Sequence, residues 1–187
     1  MERKRTARIP MNIAPAACFY LSLLCLLLPL QWVAAFLIST VIHEVCHLAA
    51  LKLCRAPILS VNIHALGMEI RTLPLLPIQE MFCALAGPLG SAGLLLLGKW
   101  MPLTALCGLF HLLYNLLPIY PADGGRILRS FLEMLLPDVP ARNCSRILET
   151  VALCAVAIIG LYAFLVLRLG LLPLLAVAVV FCRCRNK

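Results

Sequence analysis

Three ionisable side chains fall within five residues of an otherwise apolar stretch, as His43-Glu44-Val45-Cys46-His47. On a helix, residues four apart share a face, so the two imidazoles can reach one metal ion. Glu44 projects about 100° round from His43, close enough to touch a water at that ion without being a ligand. Charged or chargeable groups inside a membrane helix are costly and mark function by default. The chemistry implied is hydrolysis at a metal, with Glu44 as general base.

Two imidazoles leave a catalytic zinc site one ligand short, since such sites usually have three protein ligands and an open position. The remaining acidic residues are Glu2, Glu69, Glu80, Asp123, Glu133, Asp138 and Glu149. Asp123 stands out because it closes Asn115-Leu-Leu-Pro118-Ile-Tyr-Pro121-Ala-Asp123 and is followed by Gly124-Gly125. Two prolines end regular helix there, and two glycines permit backbone that other residues resist. Irregular backbone at membrane depth survives only where it lines protein or a wet cavity.

The elements that must carry these residues read as six membrane segments, near 14–29, 32–53, 80–98, 103–117, 147–167 and 170–182. An all-α polytopic membrane protein is the expected fold class. Ile58–Thr72 alternates in part and predicts a small membrane-associated β-hairpin turning near Leu66-Gly67. Its edge could pair with an extended substrate strand. Gly124–Leu136 reads as an amphipathic helix at the inner interface, with Arg126, Arg129 and Glu133 on one side. With a cytoplasmic N-terminus, six spans place fourteen of the sixteen Lys and Arg residues inside, leaving only Lys99 and Arg168 outside. The second and fourth segments then run in the same direction, which brings His43, His47 and Asp123 to one depth.

Composition agrees. The 187 residues are 63% hydrophobic with a mean hydropathy of +1.01, which makes the bilayer the natural solvent. A net charge of +8 is spread in short clusters between apolar runs, so nucleic acid is not an expected partner. Ten cysteines lie scattered without a CxxC pair and read as small hydrophobes. Nothing marks a second domain, so residues 1–187 are expected to form one unit.

The pairing of HEVCH with NLLPIYPADGG resembles the two signatures of site-2 proteases, the intramembrane zinc metalloproteases. Gly87 with Ser91 four residues later is similar to that family's Gly-x-x-x-Asn/Ser/Gly element. The hairpin falls where the family has a membrane-associated sheet. The six-segment plan most resembles the branch containing stage IV sporulation protein FB, which processes a sigma-factor precursor in sporulation. The CBS domain carried by many members of that branch is not seen, nor is a PDZ insertion.

The resemblance implies one catalytic Zn2+ held by His43, His47 and Asp123, with Glu44 activating water. It further implies a zinc endopeptidase in a bacterial cell membrane, with both termini cytoplasmic. The substrate would be a membrane-associated protein such as a sigma-factor precursor, and an inhibitory membrane partner would fit this plan. Asn115 suits a hydrogen-bond donor to the substrate backbone or the oxyanion, or equally a structural cap. His111, four residues earlier, reads as a packing histidine rather than a partner of the metal ligands. His64 and Cys46 are given no role. The alternative is a catalytically inactive membrane scaffold of the same fold, which would have no need to keep Glu44. A prenyl-protein peptidase would take a downstream Glu as its third ligand, and a transporter would show repeat symmetry.

Overall fold

The structure is a computed structural model and describes residues 10–64, 67–168 and 170–185. The basic cluster at Met1–Arg8 and part of the turn near Leu66-Gly67 lie outside the described residues. The order is β1 (Met11–Ile13), α1 (Pro15–Leu27), α2 (Leu30–Leu53), β2 (Ile58–His64), β3 (Gly67–Thr72), α3 (Pro77–Gly93), α4 (Pro102–Asn115), α5 (Asp123–Leu135), α6 (Asp138–Leu165) and α7 (Leu172–Arg185). A 3-10 turn over Leu94–Leu97 extends α3.

Proline sets several boundaries. Pro77 and Pro102 open α3 and α4, where a missing N–H costs nothing. Pro29 separates α1 from α2, because the residue before proline is pushed out of helical backbone. Pro118 follows the end of α4 and releases the chain into the segment before α5.

Among the described residues, three stretches are long and apolar enough to cross a membrane: Leu30–Leu53, Pro77–Leu97 and Asp138–Leu165. The other expected segments coincide with α1, α4 and α7, which have only 13, 14 and 14 residues. At 1.5 Å per residue, these reach about 20 Å of a hydrocarbon core about 30 Å thick. The expected helix over 147–167 begins earlier, at Asp138. The expected amphipathic helix is present as α5.

The hairpin forms as expected, but within a three-stranded sheet of order β1-β2-β3, with β1 parallel to β2. The Val61 N–H donates to Pro10, and the Ala14 N–H donates to the Ile63 carbonyl. Val61 and Ile63 therefore spend their backbone groups on the β1 side, and Asn62 and His64 spend theirs on β3. By alternation, Met68 and Ile70, which sit opposite Ile63 and Val61, turn their amides away from β2.

Helices α2, α3, α4 and α5 pack around one centre; α6 packs on α5, and α7 packs on α6. Ala50, Leu51 and Cys83 form a buried cluster joined by Ile58 and Ile70, which docks the sheet on α2 and α3. Helix α6 buries only Ala141, Ser145 and Gly160, and leaves Ile158 and Ile159 about two-thirds exposed. So large an apolar surface suits lipid and not water.

Candidate metal centre

His43 and His47 leave the same face of α2 one turn apart, and both are buried, at 3% and 6% exposure. Asp123, 6% exposed, is the first residue of α5 and enters from the opposite side. His43 Nε2, His47 Nε2 and Asp123 Oδ2 lie 3.1 Å from one another on all three sides.

The far sides of both rings are also held. His47 Nδ1 lies 2.7 Å from the Cys83 carbonyl, and His43 Nδ1 lies 2.9 Å from Ser91 Oγ. A carbonyl can only accept, so Nδ1 of His47 carries a proton, and in the neutral ring its Nε2 offers a lone pair. The same tautomer in His43, donating to Ser91, points three electron-rich atoms at one spot. Three such atoms repel unless a cation lies among them. Ligands of a tetrahedral zinc with bonds of 2.0–2.1 Å stand roughly 3.3–3.4 Å apart, close to the separations here. The donor set and its outer partners fit a zinc-type ion.

Close backbone approach makes this possible. A Cβ on Gly87 would run into His47 and stand 2.7 Å from His43 Nε2, so α3 can cover the two rings only with glycine there. Gly124 and Gly125 do the same for the loop before α5, where a Cβ would collide with the backbone of Leu116, Leu117, Ile119 and Tyr120. That contact folds the chain back after the proline-broken end of α4 and sets Asp123 opposite the histidines.

A cavity of about 80 Å³ opens on this group. Glu44, Asn115 and Pro121 line it, and Met68, Ile70 and Thr72 of β3 form one wall. Glu44 therefore stands beside the two histidines without joining the triangle. Asn115 is buried and gives one amide hydrogen to the His111 carbonyl at 3.1 Å, the capping arrangement, while its side also borders the cavity.

His111 packs near His43, with ring centroids 5.6 Å apart, and its Nε2 lies 3.0 Å from Thr40 Oγ1. His64 stays outside the centre, 3.5 Å from Glu69 on the hairpin. There the Arg71 hydrogen bond holds the Glu69 carboxyl below its ordinary range. Cys46 is not part of the triangle and abuts Gly90. The Cys83 carbonyl was not foreseeable, because a backbone acceptor leaves no mark on residue type. Arg126 and Glu80, which pair at 2.8 Å beside Asp123, could have been suspected from the three-residue spacing of Arg126 from Asp123.

Residues 82–159 match the model of Peptidase family M50. No curated protein matches the sequence. Among solved structures, the fold is similar to that of the Site-2 Protease from Methanocaldococcus jannaschii, with 19% identity and a TM-score of 0.65, over 100% of this chain and 94% of that one. The family match carries Gly87, Ser91, Asn115 and Asp123, whereas His43, Glu44 and His47 lie before it on α2; the likeness of fold spans both halves of the centre.

Proposed function

We propose that this protein is an intramembrane zinc endopeptidase of the site-2 protease type. The observation that carries the reading is the triangle of His43, His47 and Asp123, with both outer imidazole nitrogens already engaged. The M50 match and the shared fold support it. Zinc, when bound, supplies Lewis acidity that polarises the scissile carbonyl and lowers the pKa of the attacking water. His43, His47 and Asp123 hold it. Glu44 accepts a proton from the water at its carboxylate and delivers that proton to the leaving amine. Asn115, with one amide hydrogen committed to His111, has its second N–H for the substrate carbonyl.

A transmembrane helix hides its peptide bonds in its own hydrogen bonds and must become extended before it can be cut. The Met68 backbone N–H is directed at the Glu44 carboxylate, and the outward amide of Ile70 beside the cavity offers an extended segment a strand edge to pair with. The substrate class is accordingly a membrane-associated protein, cut near the cytoplasmic face. The resemblance of the sequence to the branch containing stage IV sporulation protein FB makes a sigma-factor precursor the narrower candidate, and co-expression with one tests it. The whole chain acts as a single protease domain, with α1, α4 and α7 completing six membrane segments.

The test separates metal binding from catalysis in detergent-purified variants, with zinc stoichiometry read beside cleavage of a single-span substrate. Glu44→Gln keeps size and helix propensity but cannot take a proton. It should hold zinc fully and lose roughly 10²–10⁴ in rate. Asp123→Ala, His43→Ala and His47→Ala should lose both metal and activity. Full zinc occupancy in Asp123→Ala would remove its assigned role.

A further inference from the structure

Asp123 is itself held from behind. Arg126 lies one turn further along α5 and lines the same cavity. Its Nη1 stands 3.5 Å from Asp123 Oδ1, while Nε and Nη2 both donate to Glu80 Oε1 at 2.8 Å. The other carboxylate oxygen, Oδ2, is the one that faces His43 and His47. A carboxylate can turn about its last torsion and present either oxygen, or both. The guanidinium makes the two oxygens inequivalent.

The direction of that guanidinium is fixed from another helix. Arginine presents its donors in a rigid planar fork, so gripping Glu80 in the first turn of α3 sets where Nη1 points. Helix α3 also bears the Cys83 carbonyl, Gly87 and Ser91, which orient the two imidazoles. The Glu80–Arg126 pair thus registers the helix that aims the histidines against the helix that carries the acid. An ordinary surface pair three residues apart on one helix would do neither.

We propose that Arg126, aimed by Glu80, is a positioning residue that occupies Asp123 Oδ1 and so presents Oδ2 alone to the metal. The inference rests on the metal-centre reading above. Outer partners of metal ligands commonly govern affinity by 10–100-fold, and this one acts through the acid where Ser91 and Cys83 act through the histidines.

The test uses the full chain in detergent, stripped and reloaded with zinc against a competing chelator, and separately with cobalt(II). Arg126→Gln should raise the zinc dissociation constant by roughly 10–100-fold. It should also weaken and shift the visible cobalt bands, as Asp123 becomes free to add its second oxygen. Arg126→Lys, which keeps the charge without the fork, should fall between Gln and wild type. Glu80→Gln should move both readouts in the same direction by less. Wild-type affinity together with a wild-type cobalt spectrum in Arg126→Gln overturns the proposal. Should that variant fail to fold, the same null result in both Arg126→Lys and Glu80→Gln overturns it. A wild-type chain that takes up neither metal sinks the metal-centre reading and this inference with it. A wild-type chain that binds metal beside insensitive variants sinks this inference alone.

Discussion

Gly87 lies where α3 passes over both imidazoles, and a methyl group there would occupy space held by His47. Helix propensity favours alanine over glycine by up to about 1 kcal/mol, so Gly87→Ala would stabilise an isolated helix. In this protein it should instead push α3 off α2, and the purified variant should carry well under one zinc per chain. Ser91→Ala makes the complementary case. It leaves the packing intact but strips His43 Nδ1 of its partner, and zinc affinity should fall roughly 10–100-fold in a chelator competition. A Ser91→Ala chain that binds zinc as tightly as wild type would mean the hydroxyl does not orient His43. Both residues were visible in the sequence as a four-residue spacing of small side chains, although their targets were not. Spacing along one helix reports which residues share a face, and says nothing of the atoms on the helix opposite.

The elements show the same division. The HEVCH helix, the amphipathic α5 and the hairpin were legible because each rests on local periodicity and short-range chemistry. The third strand was not, since Met11–Ile13 is three residues long and acquires its identity only by pairing with Val61, Asn62 and Ile63, some fifty positions away. That pairing moves the free edge. Ile63 lies in the central strand, with its backbone turned to β1, so proline there would break the sheet and not merely block a substrate. The edge that borders the cavity belongs to β3. Proline at Ile70 removes an amide that faces away from β2 and spares the ladder between β2 and β3. We expect Ile70→Pro to keep its zinc and lose cleavage by an order of magnitude or more. Undiminished turnover in that variant would show that the substrate engages elsewhere. The boundaries of α6 were missed by about nine residues because Asp138, Arg142 and Arg146 read as a polar connection, whereas one continuous helix carries them out of the apolar zone.

For the molecule as a whole, the distribution of charge predicts an orientation. Reporter fusions at Arg55 and Arg142 should read cytoplasmic, and one at Trp100 should read external. An external signal at Arg142 would place the start of α6 on the wrong side of the membrane for His47 and Asp123 to share a depth. The centre draws its acid and its imidazoles from positions 76 and 80 residues apart in the chain. At translation speeds of 5–20 residues per second, Asp123 is therefore made about 4–16 s after the histidines. Throughout that interval the growing chain holds Glu44 and both imidazoles in the membrane, beside whatever else is being inserted, with no acid to complete the site. A chain whose synthesis ends before α5 would, on the proposed reading, lack the third ligand and with it the means to cut its neighbours. On the same reading, hydrolytic competence would arrive only once the chain has passed Asp123, so the order of synthesis itself would keep an unfinished chain inert.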